Sequence, residues 1–175
     1  MEEFKSFDEI NEIDERHQLL GRLTGRTLDL KKLHLHLSTI EMNETVPEEI
    51  VGQFNIAKNM ALYSYYCYSL APEVRLKTYT VIEYALKKKI GSKKTIGLKK
   101  LLKEAVKNNW IVDSGFRHIS SPSESNEYCE SLIEVLPSLR NDSAHGTTML
   151  SPDFITHIEI CADLVNQLFQ LKKES

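Results

Sequence analysis

The chain contains no run of about 18 consecutive apolar residues, so no membrane-spanning helix is expected. Its opening, Met1-Glu2-Glu3-Phe4-Lys5, lacks the basic-then-apolar pattern of a secretory leader. Cysteine is scarce: Cys67, Cys129 and Cys161 are odd in number, scattered and without paired spacing. Each falls in a stretch that reads as helix, where a free thiol serves as a small hydrophobe, so a reducing, cytoplasmic setting is expected. No phosphate-binding glycine loop, dinucleotide fingerprint or nucleophile elbow occurs. His34-Leu35-His36 offers metal-ligand types without a third ligand at a suitable spacing, so neither a metal nor another cofactor is expected. Internal repeats, low-complexity tracts and flexible linkers are absent too, which leaves a single domain over residues 1–175.

What remains is an ordinary globular composition, 41% hydrophobic and 27% charged, long enough at 175 residues to bury a core. The periodicity is helical. Thr45-Val46-Pro47-Glu48 reads as a capping box opening a helix that carries Ile50, Phe54, Ala57, Ala61 and Tyr65 to about Leu70. A second helix starts near Pro72 and stops at Gly91; a third runs from after Thr95 to about Asn109. Turn formers then lead to a fourth, starting near Ser123 or Ser125 and interrupted at Pro137. The last has Ser151 as cap, Pro152 next, and continues to Lys173. Upstream, Phe7 to Leu20 reads as helix with Ile10, Ile13 and Leu20 on one side, whereas Leu28 to Leu37 fits either a helix or a short strand pair, with helix preferred. The expectation is an all-α bundle of four to five core helices over residues 45–173, with residues 1–44 as an N-terminal extension.

One segment carries chemistry: Arg140-Asn141-Asp142-Ser143-Ala144-His145-Gly146. Arginine is a permanent planar cation that grips a phosphate with two hydrogen bonds, and histidine exchanges protons near neutral pH. Together they can cut RNA without a metal, the arginine neutralising the phosphoryl group while the imidazole moves a proton. On a straight helix five positions set Arg140 and His145 about 140° apart and about 7.5 Å along the axis, so one chain alone makes a poor site. Asn141 and His145, four apart, share a face, so the amide is expected to orient the imidazole. Ser143 and Ala144 are small enough to let a second backbone approach closely. Gly146 is expected as the C-terminal cap, with His145 in the last helical turn, where the helix dipole favours its protonated form. Pro137 either kinks the helix before the site or opens a new one that carries it.

The segment resembles the Arg-x4-6-His signature of the HEPN superfamily, with Arg140, a polar Asn141 directly after it, and Ala144-His145-Gly146. That resemblance covers residues from about 45 to 173. It implies a helical bundle, a homodimer with a composite active site, and metal-independent endoribonuclease activity. The ribose 2′-hydroxyl would attack the phosphodiester, leaving a cyclic phosphate and a free 5′-hydroxyl. Arg140 is then the phosphate clamp, His145 the acid/base group and Asn141 the orienting residue. A toxin or phage-defence role follows by association, with an antitoxin or defence-system partner; no DNA specificity is implied. Where HEPN toxins paired with a nucleotidyltransferase antitoxin carry a modifiable tyrosine, this chain has Thr147, so that mode of control is not expected. The competing readings are a non-catalytic HEPN module that binds RNA, a nucleotide or a protein partner, and a helical assembly protein in which the motif is coincidental.

The formal net charge is −3, yet Lys87, Lys88, Lys89, Lys93, Lys94, Lys99, Lys100, Lys103 and Lys107 form a dense basic stretch. It either follows an RNA backbone through phosphate contacts or is a solvated helical face. The acidic N-terminus, with Glu2, Glu3, Asp8, Glu9, Glu12, Asp14 and Glu15, either covers that stretch in its own or a neighbouring chain or binds nothing. Tyr63, Tyr65, Tyr66 and Tyr68 could stack bases, although filling the core and a dimer seam is the preferred reading. Glu83 sits amid apolar neighbours and is expected to pair with Arg75 or Arg140.

Overall fold

The computed structural model describes residues 3–25, 27–91, 96–145 and 153–171. Within them the chain is all-helical and has no strand: α1 (Glu15–Thr24), α2 (Leu30–Ser38), α3 (Glu48–Tyr63), α4 (Leu70–Ile90), α5 (Leu98–Lys107), α6 (Glu127–Ala144) and α7 (Phe154–Phe169). Helix α4 is the centre, packing along α3 and α7 and touching α5 and α6, while α5 and α6 pack on each other. None of the helices among the described residues is long and apolar enough to cross a membrane.

The core follows the apolar periodicity. In α3 the buried residues are Ile50, Phe54, Ala57 and Ala61, one stripe at helical spacing. Glu48 and Glu49 in its first turn face the positive end of the dipole. Pro47 stands at the cap position without a side-chain capping bond, so the helix starts where expected but the box around Thr45 does not close. Helix α4 buries Val74, Thr78, Tyr79, Val81, Ile82, Ala85 and Leu86, more than one face, because neighbours surround it. It ends at Gly91, whose φ of 67° is the left-handed conformation that glycine adopts without strain, with its N–H donating to the carbonyls of Lys87 and Lys88. The helical option holds for the ambiguous segment: α2 places Leu33 and Leu37, with Ile40 after it, in the core.

Three expectations need correction. First, α3 ends at Tyr63 rather than near Leu70, and Pro72 lies inside the first turn of α4, where a missing N–H costs no helical bond. The intervening turn is held from far away. The Asp14 carboxylate accepts the Tyr68 N–H at 2.8 Å, the Asp14 N–H donates to Tyr65 at 3.0 Å, and the His17 ring bonds the Ser64 carbonyl oxygen at 2.9 Å. Cys67 therefore sits in a turn, whereas Cys129 and Cys161 are buried in helices. Second, the N-terminal segment is not one helix. A short 3-10 turn covers Phe7–Glu9, and α1 starts only after Asp14, whose carboxylate caps it through the Arg16 N–H. The buried residues of α1 are His17 and Gly21, while Ile10 and Leu20 are exposed.

Third, Pro137 does not interrupt α6, which runs unbroken from Glu127 to Ala144. The ring removes one internal N–H, but packing of Leu132, Ile133 and Leu136 on the core carries the helix past it. The start of α6 also lies later than expected. Asn126 there has φ 54° and makes no side-chain cap. Asp113, buried in the preceding 3-10 turn, supplies the cap instead: its carboxylate accepts the N–H groups of Tyr128 and Cys129 at 3.1 and 2.9 Å. In return the Asn126 side-chain oxygen accepts the Asp113 N–H at 3.0 Å.

Candidate functional site

Helix α6 delivers the Arg140–His145 segment to its own C-terminal end. Arg140 lies in the penultimate turn, with 37% of its side chain exposed. Its Nη2 is 3.5 Å from Glu83 Oε2 on α4, and its Nη1 donates to the Asn141 side-chain oxygen at 3.3 Å. Glu83 meets a second cation, Lys87 Nζ at 2.6 Å, one turn along its own helix. The expected partner of Glu83 is thus Arg140 and not Arg75. One carboxylate thus faces two cations, Arg140 and Lys87.

His145 is the first residue beyond α6 and is exposed. Its backbone N–H donates to the Asn141 carbonyl at 3.0 Å, the last bond of the helical ladder. The expected bond from the Asn141 amide to the imidazole is not made among the described residues. Asn141 turns its side-chain oxygen to its neighbour Arg140 instead, because that guanidinium is the stronger donor within reach. Ser143 and Ala144 part company: Ser143 is buried toward the bundle and Ala144 is exposed. The exposed residues at the end of α6 are therefore Asn141, Asp142, Ala144 and His145. The cap expected at Gly146, Thr147, the helix start at Ser151-Pro152 and the helix end at Lys173 lie outside the described residues.

The basic stretch divides among different partners. Lys87 belongs to Glu83, Lys88 pairs with Glu49 of α3 at 2.6 Å, and Lys99 pairs with Glu134 of α6 at 2.5 Å. Lys89 places its ammonium 5.6 Å from the Trp110 ring centre and 5.7 Å from that of Phe169. Lys93 and Lys94 lie outside the described residues. Lys100 and Lys103 are exposed and, with Lys99, Ile96 and Gly97, line an open depression of about 420 Å³ at the start of α5. Of the acidic N-terminal residues, Glu9 bonds Ser6, and Asp14 meets Arg16 at 2.8 Å as well as the Tyr68 N–H; Glu2 lies outside the described residues. His36 lies 3.5 Å from Glu159. Among the described residues no group of three or more His, Cys, Asp or Glu is placed to hold a metal ion.

The tyrosines split between surface and core. Tyr63 is 60% exposed, Tyr68 is buried, and Tyr65 and Tyr68 pack around the His17 ring at 6.4 and 4.9 Å. Sequence reasoning missed a second polar group in the interior. Arg75, Tyr79 and Glu83 recur every fourth residue along α4, and the His157 ring of α7 meets the Tyr79 ring edge-on at 5.6 Å. Burial raises the Tyr79 hydroxyl to about 12 and lowers the His157 imidazole. The i, i+4, i+8 recurrence is the available signal, but Tyr79 also satisfies the core periodicity, which hides it. Comparison of the chain with family models, curated proteins and solved structures gives no significant match.

Proposed function

We propose that this protein is a metal-independent endoribonuclease of the HEPN type, with a homodimer completing its cleft. What supports the reading is one placement: Arg140 and His145 reach the surface at the same helix end, the arginine held by Glu83 and the histidine exposed. Arg140 would bind the scissile phosphate, exchanging its 3.5 Å contact with Glu83 for phosphoryl oxygens. The 2′-hydroxyl gives its proton to a solvent water as it attacks phosphorus, and the bond to the 5′-oxygen breaks. His145, protonated, donates its proton to the leaving oxygen, so the products are a cyclic phosphate and a 5′-hydroxyl. Asn141 acts on Arg140 in this arrangement, fixing the guanidinium through its side-chain oxygen. The exposed Lys100 and Lys103 would attract the RNA backbone further from the cut. A toxin or phage-defence role, with an antitoxin or defence-system partner, belongs to the same proposal.

One observation favours a second reading, a non-catalytic module that binds RNA, a nucleotide or a protein partner. Both terminal nitrogens of Arg140 already have acceptors, Glu83 and Asn141, and a helix end stabilised in this way needs no substrate. The deciding experiment is cleavage of a mixed RNA pool in EDTA by the wild type, His145→Ala and Arg140→Ala. Loss in both variants by at least about a hundredfold, with cyclic-phosphate ends from the wild type, is expected. A folded dimer that leaves the pool intact would favour the binding module.

A further inference from the structure

The described residues expose thirteen large apolar side chains, and six of them fall between Phe4 and Leu23: Phe4, Phe7, Ile10, Leu19, Leu20 and Leu23. Single exposed apolar residues are ordinary, whereas such a concentration marks an interaction surface. The segment is also held in shape. The Ser6 N–H and hydroxyl donate to the Glu9 carboxylate at 3.2 and 2.6 Å, and the Lys5 ammonium donates to the Glu9 and Glu12 carbonyls at 3.3 Å each. Asp14 then ties it to the turn after α3. Residues 3–12 thus form an ordered arm that presents Phe4, fully exposed, and Phe7, 87% exposed, to solvent. The arm is acidic as well: Glu3, Asp8, Glu9 and Glu12 are exposed, with Lys5 as its one cation.

Helix α5 carries the complement. The open depression at its start has an apolar floor, made by Ile96 and the lysine stems, and nothing lies within 4 Å of where a side chain at Gly97 would stand. Lys99 at its edge is paired with Glu134, but Lys100 and Lys103 form no ion pair among the described residues. Lys107 continues their exposed stripe along the helix. No arm residue lines the depression, and the chain itself leaves both phenylalanines uncovered, so the two surfaces stand open together.

We propose that the arm of one protomer docks in the α5 depression of a second copy of this chain, with Phe4 and Phe7 on the apolar floor and Asp8 and Glu12 facing Lys100 and Lys103. Reciprocal exchange of arms closes a two-fold dimer. Each buried ring removes about 150–250 Å² from water, so four rings and the partner surface they cover reach about 1,200–2,000 Å², the size of a stable interface. The ordered arm loses little freedom on docking. This contact does not rest on the ribonuclease reading, which uses the Arg140 end of α6. The two meet only at Lys100 and Lys103, which a seated arm would shield from RNA.

The test is sedimentation velocity of the full chain over a dilution series, at low and at moderate salt. The wild type should associate reversibly, and less tightly as salt rises. Phe4→Ser with Phe7→Ser should weaken association by at least about a hundredfold, about tenfold for each ring. Lys100→Glu with Lys103→Glu should weaken it by at least about tenfold, and adding Asp8→Lys and Glu12→Lys to that same chain should restore it. A mixture of the phenylalanine variant and the lysine variant should associate more tightly than either alone, because one intact arm then meets one intact depression. All six positions are exposed, so circular dichroism should show each variant folded. A wild type that stays monomeric throughout would overturn the proposal, as would a lysine variant that the charge exchange does not rescue. Association unchanged by every substitution would overturn it too; the dimer then uses another face, and the composite cleft of the ribonuclease reading stands.

Discussion

Replacing Asp113 tests whether α6 is set by a carboxylate distant in sequence. Asp113 is 2% exposed, and its carboxylate accepts two N–H groups from the first turn of α6 at 3.1 and 2.9 Å. A hydrogen bond to a charged acceptor contributes about 1.5–3 kcal/mol, and loss of a helix cap typically costs about 0.5–2 kcal/mol. The two bonds share one carboxylate, so their values do not simply add, and about 3 kcal/mol is expected for Asp113→Ala. For a domain of this size that lowers the melting temperature by about 6–12 °C. Asp113→Asn keeps the shape and one acceptor oxygen and should lose about half as much. Burial alone would raise the Asp113 carboxyl, but the N–H groups of Cys129 and Tyr128 outweigh it and hold it below its ordinary value. A lowered folded value means that this stabilisation is complete above the unfolded carboxyl near pH 4 and disappears as the pH falls below it. Urea unfolding followed by circular dichroism at pH 7 and at pH 3 measures both effects. Equal stability of all three proteins at pH 7, or a gap between wild type and Asp113→Ala that does not narrow at pH 3, would refute the reasoning.

Two further outcomes follow from the packing. A methyl group at Gly115 would lie 2.0 Å from Gln167 Cδ, whose amide oxygen accepts the Val112 N–H at 2.8 Å. Gly115→Ala should therefore destabilise by about 1–3 kcal/mol, and its combination with Gln167→Ala should cost less than the sum in urea unfolding; strict additivity would contradict the clash. Burial pushes the Cys129 and Cys161 thiols well above their ordinary value, and both are fully enclosed. A thiol reagent on the native protein should thus label Cys67 first and the other two only in denaturant, and fast modification of all three would contradict the packing.

What could be read from the sequence was what depends on neighbours in the chain. Gly91 ends α4 because glycine alone adopts that backbone without strain, and the stripe Ile50, Phe54, Ala57, Ala61 needs nothing beyond its period. The errors have the opposite origin. The end of α3 is fixed by Asp14 and His17, some 50 residues upstream, and the start of α6 by Asp113, in another turn. Pro137 looked like a breaker because the local cost is visible in the sequence and the compensating burial of Leu132 and Leu136 is not. At the candidate site the pairing of Arg140 with Glu83 was among the expected alternatives, since both residue types and the half-buried helix face were evident. The rotation of Asn141 toward Arg140 was not, because its amide can either donate to the imidazole or accept from the guanidinium, and spacing alone does not choose between them.

The ammonium of Lys89 joins three separate parts of the chain: α4 through its own backbone, the residues after α5 through Trp110, and the last turn of α7 through Phe169. Trp110 is the single tryptophan in the sequence. Its emission is therefore the optical signature of one junction and not an average over several sites. Light absorbed there reports whether the C-terminal helix is seated on the central one, and it does so without any label.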